Sequence, residues 1–231
     1  MLSFLPLGRF ALIRAGGNRL LAFLPGPGGT RFRASSAFRY GYKMTRAIGN
    51  VIGFDDAPFE RAHRGDVMLV GAVFSRTRLD GVLAARVRRD GANATRRMVD
   101  MIRGSQFDAH IRAVLLQGIA VAGFNVVDIR ALAAALGRPV LVVARRPPDM
   151  PAIRRALLGR VRGGERKWKL VGRAGPMERV GHVYVQRVGL SLEQARELLR
   201  VTTLHGNLPE PLRVAHLIAG GVTTGRSRGG A

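Results

Sequence analysis

From residue 44 to residue 148 the apolar positions change period in an orderly way. NVIGFDD (50–56) and DVMLVGAVFS (66–75) are dense apolar runs on either side of the polar stretch Arg61–Gly65, and GVLAARVRR (81–89) alternates apolar with polar. They predict three strands in a meander. DGANATRRMVDMIRGS then has a turn at Asp90-Gly91 and gathers Met98, Val99, Met101 and Ile102 on one side, which predicts a helix with Thr95 as its N-cap. IRAVLLQGIA is the continuous apolar run of a strand buried on both faces. NVVDIRALAAALG predicts a second helix closed by Gly137, and RPVLVVARRPP another buried strand. The order β-β-β-α-β-α-β predicts an α/β fold, a mixed sheet with helices on its faces.

Past Pro148 the pattern thins. MPAIRRALLGR predicts a short helix, ERKWKLVGR and GHVYVQRVG two strands, and SLEQARELLRVTT a helix opened by a Ser191/Gln194 capping box. PEPLRVAHLIAGG predicts a last helix with Pro211 in its first turn. These elements form a C-terminal α+β extension of one domain spanning residues 44–231. Residues 1–43 hold seven Lys/Arg, no acid and the breaker-rich PGPGGTRFRASS, and are expected to be a disordered basic extension. Three origins fit it: an Arg-rich presequence, a basic arm, or an upstream start with Met44 as the initiator, the last being favoured.

Charge narrows the function. The 231 residues carry 38 Lys+Arg against 15 Asp+Glu, a formal +23, and removing the seven cations of residues 1–43 still leaves +16. Such a field attracts polyanions, and nucleic acid is the expected partner class. With no cysteine, disulfides, zinc-thiolate centres and thiol nucleophiles are excluded. No apolar run approaches the roughly 20 residues that span a bilayer, so the expectation is a soluble, cytoplasmic protein without a membrane partner. The oligomeric state is not legible.

Against this background the first acidic residues of the chain are Asp55 and Asp56, at the end of an apolar strand. Successive strand side chains face opposite ways, so the two cannot enter one site from a regular strand. Asp55 is the expected metal ligand, and Asp56 either caps the Ala57-Pro58 turn or serves as a supporting or substitute ligand. Asp90 shares the polar face of the third strand with Arg86 and Arg88, but Asp-Gly is also an ordinary turn signal. Asp128 is either a further ligand or, at capping-box spacing from Asn125, a helix-start residue. Gly123 and Asn125 lie in a GFN loop whose amides could face a phosphate. Arg145 and Arg146, after a strand end, are expected phosphate contacts. His182 and His216, in apolar settings, read as packed histidines more readily than as ligands or proton carriers. Trp168 and Tyr184 read as core before base-stacking platforms.

The segments GFDDAPF, VMLVGAVFSR, LDGVL, RRDGANAT, LLQGIAVAGFNVVDI, PVLVVARRPPD and LPEPLRVAHLIAGGVTTGRSRGGA together resemble, in order from about Gly53 to the C-terminus, the archaeal and bacterial family known as domain of unknown function 99, also called endonuclease dU and related to endonuclease V. The resemblance implies a ribonuclease-H-like domain and a Mg²⁺- or Mn²⁺-dependent endonuclease that cuts DNA near deaminated bases such as deoxyuridine. Asp55 matches the first-strand metal ligand of endonuclease V. Gln117 stands where endonuclease V has an acidic residue, and this departure leaves two-metal catalysis in question. Asp90 or Asp128 would then complete the site with Asp55. The alternatives are a noncatalytic nucleic-acid-binding module, for which the lost charge at Gln117 is the motive, and a site for a small phosphorylated molecule.

Overall fold

The computed structural model describes residues 10–15, 18–23 and 49–227. Two compact units are present, one within Met1–Tyr42 and one within Lys43–Ala231. In the first, β1 (Phe10–Ala15) and β2 (Asn18–Phe23) pair antiparallel. The remainder of the expected extension lies outside the described residues.

The second unit is built on a seven-stranded mixed sheet. Its first strands, β3 (Asn50–Asp56), β4 (Asp66–Ser75) and β5 (Arg78–Arg88), form the expected antiparallel meander. Then come α1 (Ala94–Arg103), β6 (Ala113–Gln117), a ribbon of β7 (Ala120–Val121) and β8 (Asn125–Val126), α2 (Ile129–Leu136) and β9 (Val140–Ala144). The chain continues through α3 (Met150–Arg160), α4 (Gly164–Arg173), β10 (Glu178–Val180), β11 (Val183–Val188), α5 (Leu192–Thr202) and α6 (Glu210–Thr224). Across the sheet the order is β10-β11-β9-β6-β3-β4-β5, with β3, β6 and β9 parallel in the centre. The three central strands are nearly all buried, as a strand covered on both faces requires.

Alternation along β3 sorts its residues between two layers. Val51, Gly53 and Asp55 look toward α6, which packs on β3 and β4. Ile52, Phe54 and Asp56 look the other way, sharing a face with Leu69 and Gly71 of β4 and Ala85 and Val87 of β5, against which α1 packs with α2 beside it. Gly53 is the point of closest approach: a Cβ there would lie 2.5 Å from the carbonyl carbon of Pro211. Gly53→Ala is therefore expected to push α6 off β3 and cost about 1–3 kcal/mol, read as a lower urea midpoint.

One predicted strand is a helix. ERKWKLVGR can be read with period two through Trp168 and Leu170, but the residues buried in α4 are Gly164, Lys167 and Val171, at helical spacing. The deciding contact is tertiary: α4 packs on α3, so tightly that a Cβ on Gly164 would overlap the carbonyl oxygen of Leu157. Leu157, Val171 and Val126 form a small core apart from the main one, with Phe124, Ile153 and Trp168 around it.

Candidate active site

The parallel strands β3, β6 and β9 end together, and β3 ends on two carboxylates. Asp55, with its side chain only 10% exposed, receives a 2.8 Å hydrogen bond from Nδ1 of His216. The helical stripe of Leu212, Ala215 and Ala219 is fully buried, and His216 sits within it, so α6 packing aims the ring at the strand end. With Nδ1 donating to the carboxylate, Nε2 is left as the basic nitrogen. Burial pushes the Asp55 carboxyl above its ordinary range, and the His216 hydrogen bond and charge pull it partly back.

Gln117 is the lateral neighbour of Asp55. Phe54 pairs with Leu116, so Asp55 and Gln117 occupy the next rung on the same face, with strands about 4.8 Å apart. The Gln117 Oε1 is buried and accepts no hydrogen bond. An orphaned buried oxygen beside a buried carboxylate is a donor pair that suits a hard divalent cation.

Asp56 projects to the opposite face. Its carboxylate accepts from the backbone N–H of Ala122 rather than capping the turn at Ala57-Pro58, and burial together with the Asp55 charge pushes it up to about 6. Ala122 belongs to the turn of the β7–β8 ribbon, and that turn also holds Asp90. The Asp90 N–H donates to the Ala122 carbonyl (2.9 Å), and Asp90 Oδ1 accepts from the Phe124 N–H (2.8 Å). A Cβ on Gly123, whose φ is 82°, would lie 2.5 Å from that same oxygen. The Phe124 amide of the GFN loop thus points at the protein's own carboxylate instead of at a phosphate.

Other expected site residues have structural duties. Asn125 is fully buried: its Oδ1 accepts from Ala94 N–H, and its Nδ2 donates to the Arg88 carbonyl and to Asn93 Oδ1. It cannot reach a nucleic acid, and the expectation of a binding role is overturned. Asn125→Ala would strand the first amide of α1 and the Arg88 carbonyl, at an expected cost of about 1–3 kcal/mol by urea titration. Asp128 is itself the N-cap of α2, accepting from Ala131 N–H, rather than a partner in a box begun by Asn125. Asn93, not Thr95, holds the N-cap position of α1, and the Thr95 hydroxyl instead accepts from Asp128 N–H. Trp168 packs in the small core, His182 is exposed, and Tyr184 is half-buried opposite Ala144. Arg145 and Arg146 are exposed just past β9, at the same sheet edge as Asp55.

The four aspartates are consequently not one ligand set, and among the described residues no three His, Cys, Asp or Glu side chains gather in a way that could hold a metal ion. What converges is Asp55, Gln117 and His216 on one face. The sequence signal for His216 is its place among Leu212, Ala215 and Ala219 at helical spacing, which turns it toward the sheet but does not name its partner. Just past the strand end a cleft of about 600 Å³ opens among Pro58, Phe59, Glu60, Met68, Arg86 and Val222. Arg89 steadies its rim, donating to the carbonyls of Arg61 and His63 and lying 5.3 Å over the Phe59 ring.

Comparison with known proteins agrees with this architecture. A UPF0215 protein of Deinococcus radiodurans is 54% identical over 182 residues, covering 79% of this chain and 93% of that protein. Another from Methanothermobacter thermautotrophicus is 42% identical over 196 residues, 83% and 96% of the respective chains. The crystal structure of a protein of unknown function from Archaeoglobus fulgidus superposes with a TM-score of 0.71 at 34% identity, covering 76% of this chain and 98% of that one. The family model described as endonuclease dU matches residues 48–223, and the chain belongs to that family.

Proposed function

We propose that this protein is a metal-dependent endonuclease that hydrolyses phosphodiester bonds in nucleic acid, with DNA as the first substrate to test, on a ribonuclease-H-like plan. The observation that carries the reading is the buried Asp55 at the end of the central strand, bonded to His216 and flanked by the unpartnered amide oxygen of Gln117. A buried carboxylate with a raised pKa at a sheet edge is costly to keep, and such groups concentrate at functional sites. The element order of β3 through β9 and the family membership support the plan, and the net charge supports the substrate class.

Asp55 and Gln117 would hold Mg²⁺ or Mn²⁺, with water completing the shell. When bound, such an ion supplies a positive charge that acidifies a coordinated water and offsets charge developing on the phosphate. His216 is placed to take a proton at Nε2 while Asp55 holds its Nδ1–H and stabilises the ring once it is charged. The cleft beside Asp55 offers the aromatic ring of Phe59, apolar Met68 and cationic Arg86 to a nucleotide next to the scissile bond. Deaminated bases such as deoxyuridine are the substrate class that the family's description suggests.

A noncatalytic nucleic-acid-binding role is favoured by one observation, the neutral Gln117 beside Asp55. Labelled single- and double-stranded oligonucleotides carrying deoxyuridine, inosine or no lesion, incubated with Mg²⁺, Mn²⁺ or chelator, separate the two. Cleavage that requires the metal is the expected result. Binding without cleavage under every metal would favour the noncatalytic role.

A further inference from the structure

We propose that the α3–α4 hairpin is a phosphate-backbone docking surface that leads a nucleic acid to the edge of the sheet holding Asp55. This rests on the nucleic-acid reading above and assigns that partner a place on the molecule.

Between Arg154 and Arg173 the chain has eight Lys/Arg and one acid, Glu165. Arg154, Arg155, Arg160, Arg162, Arg166 and Lys169 are all exposed. Among the described residues no acidic side chain forms an ion pair with any of the six. This contrasts with α5, where Arg196 and Arg200 each pair with a glutamate three residues before. A dense set of unpaired like charges repels itself and is stabilised by a polyanion. Arginine, which supplies five of the six, matches phosphate geometry with paired donors.

The hairpin is packed against the body of the domain. It leaves the sheet where β9 ends, at the edge where β3 and β6 end on Asp55 and Gln117. Its main apolar side is already used, with Leu157 and Val171 packed on Val126 of the ribbon; Met150 and Leu158 are the large apolar side chains left exposed on α3, too few to form the broad apolar face that lies in a lipid surface. Lys167 donates from Nζ to the Asp90 carbonyl at 2.5 Å, tying α4 to the turn that holds Asp56 and Asp90. A strand lying along the exposed arginines is therefore registered against the carboxylate edge through one packed unit.

The test uses the full chain and fluorescein-labelled DNA 30-mers, single-stranded and duplex, without lesions, in chelator. Binding is followed by anisotropy as NaCl is raised. R155Q/R162Q/R166Q is expected to reduce the slope of log Kd against log salt by about 2–3, since each lost phosphate contact removes roughly 0.7–0.9. R155K/R162K/R166K, which keeps the charge, is expected to retain the slope, and thermal melts of both triples check that the hairpin still folds. R76Q/R103Q/R112Q removes the same charge at the opposite end of the sheet, where Arg76 and Arg112 donate their backbone N–H to the carbonyls of Gly49 and Asn50. It is expected to leave the slope nearly unchanged. Equal losses in the two glutamine triples, or no loss in the hairpin triple, would overturn the docking surface while leaving nucleic-acid binding intact. A wild-type chain that binds neither DNA would overturn both this inference and the nucleic-acid function.

Discussion

Asp55→Asn is expected to slow metal-dependent strand cleavage by about 10²–10⁴-fold while leaving the fold in place. Asparagine keeps the size of the side chain and an oxygen that can accept from His216 Nδ1–H, so α6 retains its seat on β3. What disappears is the negative charge, which both attracts a divalent cation and stabilises a protonated His216. His216→Ala tests the second of these duties. If Asp55 and His216 act as a unit, the double variant is expected to be little slower than the worse single variant, because groups that work together are non-additive. Single-turnover cleavage in Mn²⁺, beside thermal melts of each variant, makes the measurement. An Asp55→Asn protein that cuts at more than half the wild-type rate would sink the assignment of the site.

Removing charge at the neighbouring position is expected to stabilise the protein. In the fold Asp56 titrates at about 6, against an ordinary 3.8, because burial and the Asp55 charge both oppose ionisation. The unfolded chain therefore loses this proton first as pH rises. Below 3.8 the group contributes no difference, between 3.8 and 6 the folded state progressively loses stability, and above 6 the full loss is present. The rise from 3.8 to about 6 corresponds to about 3 kcal/mol at 1.36 kcal/mol per pH unit, and partial access to water reduces this to about 2 kcal/mol. Asp56→Asn escapes the loss and still accepts from Ala122 N–H. In chelator the variant is expected to match the wild type at pH 4 and exceed it by about 2 kcal/mol at pH 8, by urea denaturation. Equal stability at pH 8 would show that Asp56 carries no such strain. A carboxylate that lowers stability at neutral pH is the kind of residue retained for function.

Much of this architecture is written in local chemistry. The dense apolar run of residues 66–75 and the period-two pattern of residues 81–89 specified the second and third strands of the meander, the former buried on both faces and the latter on one. The unbroken apolar runs of β6 and β9 specified central strands, and Gly137, with a φ of 65°, ended α2 where a left-handed residue was needed. Ser191 and Gln194 form the complete capping box that their spacing announced. Where two readings had comparable local support, the sequence was not decisive. ERKWKLVGR, expected as a strand, instead buries residues at helical spacing in α4, which packs on α3.

The candidate site divides in the same way. Alternation along β3 already required Asp55 and Asp56 to face opposite layers, and the structure places His216 on one side and Ala122 on the other. Neither partner could be found from spacing, because Asp55 and His216 are 161 residues apart and meet only when α6 lies across Gly53. The same limit explains Asp90, Asp128 and Asn125. Each has a side chain suited to a ligand or a phosphate contact, and each is committed instead to a particular amide or carbonyl. Asp128 meets its amide within its own helix start, while Asp90 and Asn125 reach theirs across the ribbon and the start of α1.

By itself the sequence determined the order of the sheet strands and the two helices from β3 to β9, the excess positive charge and the isolation of Asp55 at a strand end, because periodicity, composition and alternation are local properties. The tertiary structure alone decided which acids remain available, that His216 joins Asp55, that Gln117 is left with an unsatisfied oxygen, and that Arg154, Arg155, Arg160, Arg162 and Arg166 stay exposed and, among the described residues, unpaired with acids. These depend on long-range packing, in which a single close approach such as Gly53 against Pro211 sets the position of every side chain on the helix above it.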